Sequence, residues 1–317
     1  MNITKATPIL LLLACGFLQG CNQDRADQTN EQSTKISTDK ERNLSEEWSP
    51  VSGSLEGVDE TAKRWNKKGL VALLEDKKYQ QAINYFDKAI QIAPSVAPFY
   101  DNRGAAYYKL GDWKQSLENH DRAIELDPDY ATALSNRAMS KIKVGDFSGA
   151  IRDCDQAIAI DATVAEPYFN RGSAKLDAGN ISGAISDYTE AIARKSSYRS
   201  AYYQRGWAKQ ELGQHAAAIS DYDKCIELKP TDHLAWNNRG NAYGLLSDLE
   251  SGIRDCTKAI SLAPSYAMAY ENRGGMYFRS GRFSDALADI EQAIELQPNN
   301  PTLLHARTAI LHAIGSN

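Results

Sequence analysis

The chain has 317 residues, of which 36 are basic and 41 are acidic. This mildly acidic balance comes without an arginine-rich block, which argues against nucleic acid as a partner. Downstream of residue 20, no apolar run reaches the roughly 20 residues that a membrane-spanning helix needs.

The first 20 residues have the pattern of a signal peptide. Lys5 precedes an almost wholly apolar run over 6–18, which is too short to span a membrane and suits a signal-peptide core. The run ends in Leu18-Gln19-Gly20-Cys21. This ending resembles the lipobox of bacterial lipoproteins, which are cut before the cysteine after lipid is attached to its thiol. The resemblance implies that residues 1–20 are a signal peptide and that Cys21 is the lipid attachment site.

Alternatives to this anchor remain open. Cys15, at the end of Leu12-Leu13-Ala14-Cys15, is a rival attachment site that leaves a shorter apolar core. The other two alternatives are secretion of the protein without a lipid anchor and an N-terminal segment that is not cleaved. Asn22 follows Cys21, whereas aspartate there signals inner-membrane retention in enteric-type bacteria. The resemblance therefore implies a protein of the bacterial cell envelope, lipid-anchored in the outer membrane and facing the periplasm, with the lipid as its only membrane contact.

Residues 21–61 predict a flexible polar tether. Polar and charged residues dominate this segment, so it cannot bury enough apolar surface to offset its ordering entropy. About 38 residues of flexible chain have a typical reach of about 35 Å. The alternative is a short ordered arm that packs on the first repeat near Trp48. A tether would hold the folded part near the membrane without fixing its orientation.

A period of 34 residues divides residues 62–300 into seven units, and the first unit carries one additional residue. The units begin at residues 62, 97, 131, 165, 199, 233 and 267. When the first residue of each unit is position 1, position 8 is small in every unit: Gly69, Gly104, Ala138, Gly172, Gly206, Gly240 and Gly274. Small residues also recur at positions 20 and 27, glycine recurs at position 15, and proline recurs near position 32. Such a period is the signature of a repeat architecture.

These recurring residues resemble the tetratricopeptide repeat (TPR) family over about three-quarters of the chain. Each unit splits at a turn into two amphipathic stretches, which are marginal helices alone and gain stability by stacking. Small residues at positions 8, 20 and 27 would let neighbouring helices approach closely. The resemblance implies an all-α fold, namely a right-handed α-α superhelical solenoid of seven TPR units. Residues 301–317 predict one further first helix that caps the array.

Position 7 is arginine in units two to seven, and position 23 is aspartate in five of these units. Two antiparallel helices that turn near position 15 bring these positions to about the same level. We therefore predict a structural ladder of Arg–Asp contacts, with the aspartate from the same unit or from the preceding one. The pairs are Arg137 and Asp153, Arg171 and Asp187, Arg205 and Asp221, Arg239 and Asp255, and Arg273 and Asp289.

Position 6 carries a row of amides: Asn102, Asn136, Asn170, Gln204, Asn238 and Asn272. In the TPR family, positions 2, 5, 6, 9, 12 and 13 line a concave groove. Because an amide both donates and accepts hydrogen bonds, the resemblance implies a row that binds the backbone of an extended peptide. The alternative is that these amides are merely solvated. Phe169, Tyr203 and Trp207 predict an aromatic patch in the same groove, against the alternative that the rings pack within the fold.

The sequence contains no nucleophile triad, phosphate loop or metal-ligand spacing. Cys154, Cys225 and Cys256 fall at positions that pack in the second helix, so we predict buried thiols. The prediction is therefore a protein that is not an enzyme, with no cofactor and no metal. Its implied function is a lipid-anchored envelope adaptor or scaffold that binds proteins or extended peptide segments. The alternative is a pilotin-like assembly factor for an outer-membrane secretin or pilus system.

Overall fold

The computed structural model describes residues 55–75 and 77–316 of the chain. Within these residues there are fifteen α-helices and no strand, which confirms the all-α prediction. None of these helices is long and apolar enough to cross a bilayer. The predicted signal peptide, Cys15, Cys21 and most of the predicted tether lie outside the described residues.

Consecutive helices form pairs, so that each repeat contributes an odd-numbered first helix and an even-numbered second helix. The helices are α1 Glu60–Leu74, α2 Tyr79–Ile92, α3 Ala97–Leu110, α4 Trp113–Leu126, α5 Ala131–Lys143, α6 Phe147–Ile160, α7 Glu166–Asp177, α8 Ile181–Arg194, α9 Arg199–Glu211, α10 His215–Leu228, α11 His233–Leu245, α12 Leu249–Leu262, α13 Ala267–Arg279, α14 Phe283–Leu296 and α15 Pro301–Gly315.

The chain divides into two compact units, whose boundary falls between Ala201 and Tyr202 in α9. The N-terminal region, described from residue 55, contains α1 to α8 and the start of α9. The C-terminal region contains the rest of α9 and α10 to α15.

The turn between the two helices of a repeat is determined by residues at the turn itself. Asp112, Asp146 and Asp248 each accept a hydrogen bond from a backbone N–H in the first turn of the second helix. One residue earlier, position 15 adopts a positive φ, which glycine tolerates best. The glycines at this position have φ between 73° and 85°, and Ser247 replaces glycine there with φ 66°.

The glycine at position 8 allows the two helices of a repeat to approach closely. A Cβ atom added to Gly172 would lie 2.9 Å from the ring of Tyr188, the position-24 residue of the same unit. At Gly274 the same added atom would lie 3.2 Å from Ile290. Ala138 is the departure from glycine, and it shares a core cluster with the smaller side chain of Cys154. Helix packing therefore offsets the roughly 1 kcal/mol that glycine costs inside a helix.

The last helix, α15, docks on α14. Leu303 and Ile310 are fully buried, and they pack in one cluster with Ile290 of α14. This arrangement matches the capping helix expected at residues 301–317.

Candidate protein-binding face

The position-7 arginines bind the aspartates at position 23 of their own unit. Arg137 donates from Nε and Nη2 to the two carboxylate oxygens of Asp153, at 2.8 and 2.7 Å. The same two-bond geometry, at 2.6 to 3.2 Å, joins Arg171 to Asp187, Arg205 to Asp221, Arg239 to Asp255 and Arg273 to Asp289. Of the two alternatives left open by the sequence, the structure has the contact within one unit.

Most of these arginines also have a second acceptor, which the sequence analysis missed. Arg137 Nη1 donates to Asp121 at 2.8 Å, and Asp121 lies 16 residues earlier, at position 25 of the preceding unit. Equivalent contacts join Arg103 to Asp87, Arg171 to Asp155, Arg239 to Asp223 and Arg273 to Thr257. The guanidinium groups of these five arginines thus each bridge two consecutive second helices. The signal was present in the sequence, because acceptors lie 16 residues on both sides of the arginine.

These ion pairs are part of the scaffold. The hydrogen bond to Asp153 raises the pKa of Arg137, so the guanidinium stays charged throughout the accessible pH range. The ladder arginines named by the sequence retain 15 to 19% of their side-chain exposure, and their aspartates 3 to 8%. A free ligand would find few unused donors here.

Within each region, the position-6 asparagines join consecutive first helices. Asn102, Asn136, Asn170, Gln204 and Asn272 are all 7% exposed or less, and only Asn238 of the predicted row is half-buried. The acceptor for each asparagine is the position-5 residue of the preceding unit. The contacts are Asn102 to Asn66, Asn136 to Asp101, Asn170 to Ser135, Asn238 to Tyr203 and Asn272 to Asn237, at 2.8 to 3.2 Å.

This placement differs from the open groove expected from the resemblance. Positions 5 and 6 of neighbouring first helices face each other, so the amides fill the seam between these helices. The side chains that remain partly exposed on this face include residues at positions 9, 12 and 13. In the N-terminal region they include Tyr108, Lys109 and Met139.

In the N-terminal region, Asp101 is the centre of a buried polar cluster. It is fully buried, and it accepts hydrogen bonds from His120 Nδ1 at 2.9 Å and from Asn136 Nδ2 at 3.1 Å. A small cavity beside it is lined by His120, Asn136, Tyr108, Lys109 and Met139. Burial, and then the charge of Lys77, lower the pKa of Lys109.

In the C-terminal region, the amides form one directional chain of hydrogen bonds. Tyr222 donates to Gln210 at 3.4 Å, and Gln210 donates to Asn241 at 2.7 Å. The chain continues from Asn241 to Asn272, from Asn272 to Asn237, from Asn237 to Asn238 and from Asn238 to Tyr203, at 3.3, 3.0, 3.1 and 2.8 Å. Gln210, Asn238 and Asn241 are half-buried. They therefore present preoriented amide groups at the surface of this region.

The three predicted aromatic residues have different surroundings. Phe169 is buried in the N-terminal region, with its ring 5.5 Å from Tyr188 and 5.0 Å from Tyr198. Tyr203 is buried in the C-terminal region, edge-on to Tyr222. Trp207 is half-buried one turn further along α9. Trp207 therefore contributes to the surface, whereas the other two rings pack in the core.

The thiols of Cys154, Cys225 and Cys256 are buried. Burial raises the pKa of Cys154 and of Cys256, which makes their thiolates poor candidates for chemistry. Within 55–75 and 77–316, no group of histidine, cysteine, aspartate and glutamate side chains could hold a metal ion.

Family models described as tetratricopeptide repeat match residues 60–127, 102–165, 200–232, 233–266 and 267–300. Among solved structures, the chain is similar to a chain in the APC/C heterotetramer Cut9–Hcn1, with a TM-score of 0.64 and 17% identity. That match covers 81% of this chain but 50% of the other, so this chain spans about half its length.

Two bacterial structures are also similar. PilF of Pseudomonas aeruginosa has a TM-score of 0.60 and 16% identity, over 68% of this chain and 98% of that one. A tetratricopeptide repeat protein from Parabacteroides merdae has a TM-score of 0.56 and 16% identity, over 80% of this chain and 100% of that one. At such identities these likenesses show the fold alone. No curated protein sequence matches the chain.

Proposed function

The chain belongs to the tetratricopeptide repeat family, and from that premise we propose that it is a lipid-anchored adaptor of the bacterial cell envelope. TPR proteins mediate protein–protein interaction, and their fold is generally a non-catalytic scaffold. The proposed binding surface is the first-helix face of the C-terminal region. The proposed ligand is an extended segment of a partner protein.

The observation that carries this proposal is the amide chain of the C-terminal region. Each amide NH₂ group has two donor hydrogens, and the chain uses one of them in each residue. The half-buried amides of Gln210 and Asn241 are therefore fixed in orientation and keep a second donor for a ligand, whereas Asn238 also bonds to Tyr222. Peptide backbone carbonyls suit such donors because they occur at regular intervals in any sequence.

Trp207 supplies the apolar part of the same surface. It lies on α9 four residues after Tyr203 and three residues before Gln210, so the three side chains share one face of the helix. Its ring is half-buried, and a large aromatic side chain held in place in this way is a typical interface anchor. Backbone recognition by the amides and one aromatic anchor together describe a site with modest sequence selectivity.

The anchor part of the proposal rests on Leu18-Gln19-Gly20-Cys21, which lies outside the described residues. In cells, we expect metabolic labelling with a fatty acid analogue to mark the wild-type chain and not Cys21→Ser. Labelling that survives in Cys21→Ser and is lost in Cys15→Ser would move the attachment site to Cys15. A chain that is never labelled would remove the anchor from the proposal.

The binding surface can be tested by photo-crosslinking in cells from position 207. The matched control places the same crosslinker at Lys224, which is 50% exposed on α10. We expect a dominant protein adduct from position 207 that is lost in the double variant Gln210→Ala and Asn241→Ala. Circular dichroism should show that this variant keeps its helices. Adducts that form only from position 224 would contradict the proposal, and a secretin adduct would favour the pilotin-like alternative.

A further inference from the structure

A small cavity lies in the N-terminal region where α3, α4 and α5 meet. It has room for about one water molecule. A space of this size excludes an organic cofactor and admits a single small ion. The residues that line it are Ala105, Tyr108 and Lys109 of α3, His120 of α4, and Asn136 and Met139 of α5.

The cavity exists because a histidine stands where other repeats carry a longer side chain. His120 is at position 24 of its unit, and Tyr188 and Tyr222 are at position 24 of units four and five. The hydroxyl of Tyr188 lies 3.3 Å from Ser173 Oγ, and that of Tyr222 donates to Gln210 at 3.4 Å. These two partners stand at positions 9 and 12, and residues at the same two positions line the cavity. Because imidazole is shorter than phenol, the space that the end of a tyrosine would fill stays open beside His120.

The imidazole of His120 has one nitrogen that is held in place and one that can bind a ligand. Nδ1 donates to the carboxylate of Asp101 at 2.9 Å, and the two side chains are 1% and 0% exposed. In the neutral ring, Nε2 therefore carries the lone pair that can bind a metal ion. Histidines that bind metals almost always donate their other ring N–H to a carboxylate, a backbone carbonyl or water, which fixes the orientation of the ring.

Met139 brings a thioether to the same cavity from the facing helix α5. Since the cavity admits about one water molecule, an ion inside it would lie beside both Met139 and His120. Imidazole and thioether are soft or intermediate ligands without a charge. Such ligands select Cu(I), whereas Mg²⁺ and Ca²⁺ prefer oxygen ligands. Zinc usually has four ligands, which this cavity does not provide.

The charge of the buried cluster also favours a cation. Asp101 is fully buried, and among the described residues His120 is the only basic side chain that pairs with it. Its other donor, Asn136, is neutral. A buried carboxylate without a positive partner is costly. A monovalent cation bound to the other side of the imidazole would offset that charge.

We propose that His120 Nε2 and Met139 Sδ bind a soft monovalent metal ion, of which Cu(I) is the chemical type, and that Asp101 orients the histidine. This inference departs from the sequence-based prediction of a protein without a metal. A histidine and a methionine on different helices match no common spacing of metal ligands, so the sequence alone does not indicate them.

Methyl NMR of the methionines tests the site directly. The protein is the full chain with Cys15→Ser and Cys21→Ser, labelled with ¹³C at the methionine methyl groups and titrated with Ag(I), and then with Cu(I) under nitrogen. The chain has four methionines, and the matched control is Met268, whose side chain is 44% exposed. We expect the Met139 resonance to shift at metal concentrations that leave Met268 unchanged. Zn(II) should leave both unchanged.

Variants then separate the roles of the individual side chains. His120→Asn keeps a donor for Asp101 and removes Nε2, and we expect it to raise the midpoint of the Met139 shift at least about tenfold. Asp101→Asn should raise the midpoint about 10- to 100-fold, as expected for a residue that orients a ligand. Lys109→Met removes a positive charge that lines the cavity, so it should lower the midpoint at least about threefold. Circular dichroism checks that each variant is folded.

Three results would overturn the proposal. They are a Met139 resonance that does not move, a shift with the same midpoint in folded His120→Asn, and a shift of Met268 at the same metal concentration as Met139. The buried cysteines named above are present in every protein compared, so they do not produce differences between the variants. None of these outcomes depends on crosslinking from position 207, so this inference and the proposed function can fail separately.

Discussion

In the N-terminal region Asn136 donates to the buried carboxylate of Asp101 at 3.1 Å, whereas in the C-terminal region Asn272 donates to the amide oxygen of Asn237 at 3.0 Å. The two asparagines occupy the same repeat position, and both link a first helix to the first helix before it. The acceptors differ in charge and in the number of donors that they serve. Asp101 also accepts a hydrogen bond from His120, while Asn237 itself donates a hydrogen bond to the amide oxygen of Asn238.

This difference shows that the asparagine at position 6 can take part in two kinds of hydrogen-bond arrangement. A buried carboxylate with two donors is a closed, charge-assisted unit that tolerates little rearrangement. An amide chain is neutral, and its half-buried members keep further donors and acceptors near the surface. The N-terminal region therefore uses the position for a closed buried contact, and the C-terminal region uses it in a hydrogen-bond chain that reaches the surface where we propose that a ligand binds.

The largest expected effect comes from removing the acceptor in each region. Asp101→Ala leaves His120 and Asn136 without their acceptor in a fully buried place, and we expect a loss of about 3–5 kcal/mol in the free energy of unfolding. Asn237→Ala interrupts a neutral chain, and we expect a loss of about 1–3 kcal/mol. Urea unfolding followed by circular dichroism measures both.

A control for this comparison is Asp121→Ala, which removes a carboxylate that is 54% exposed beside Arg137. We expect it to cost about 0–1 kcal/mol, because solvent screens exposed pairs. Equal losses for Asp101→Ala and Asn237→Ala would remove the proposed difference between the regions.

The next largest expected effect is a dependence of the free energy of unfolding on pH, to which one buried tyrosine in each region contributes. Burial raises the pKa of Tyr188 and of Tyr222 well above the usual value. The unfolded chain has a tyrosine pKa of about 10, below that of the folded protein. The stabilisation that each buried tyrosine contributes is therefore complete below about pH 10 and is lost as the pH rises above that value. The expected loss is about 1.4 kcal/mol per pH unit for each tyrosine.

Urea unfolding between pH 9 and pH 11, in roughly half-unit steps, tests this expectation. Tyr188→Phe and Tyr222→Phe should each reduce the alkaline slope by the same amount, and the double variant should combine the two reductions because the rings lie in different repeats. A wild-type slope in either single variant would show that the ring is not buried as described.

The smallest effect concerns the turn between paired helices. Ser247 has φ 66° in the C-terminal region, where Gly145 of the N-terminal region has φ 83°. We expect Ser247→Gly to stabilise the protein by about 0.5–1 kcal/mol and Gly145→Ser to destabilise it by about 1 kcal/mol. Thermal unfolding measures both changes.

Arg279 provides the check on that prediction. It donates to the Gly244 carbonyl at 2.7 Å and to the Ser247 hydroxyl at 3.2 Å, so it partly compensates for the absent glycine. Arg279→Ala should therefore destabilise the wild type more than it destabilises Ser247→Gly. Equal effects would mean that the arginine does not support this turn.

The period and the helix pairs follow from the sequence alone, and the sequence also predicts that the ladder arginines meet position-23 aspartates, although it leaves open which unit supplies each aspartate. Gly172 and Tyr188 illustrate why: their spacing of 16 residues is fixed by two short helices and one turn. Arg171 and Asp187 have the same separation and meet for the same reason. Interactions of this kind are local in sequence, so residue type and spacing determine them.

The burial of the position-6 amides and the hydrogen-bond chain from Tyr222 to Tyr203 were decided by the tertiary structure. Asn272 donates to a residue 35 positions earlier, and the closeness of that residue depends on how two whole repeats stack. The sequence shows Phe169 and Trp207 only as two large aromatic residues, yet in the structure Phe169 is buried and Trp207 is half-buried. Exposure depends on every neighbour that packs around a side chain, and the repeat pattern by itself does not contain that information.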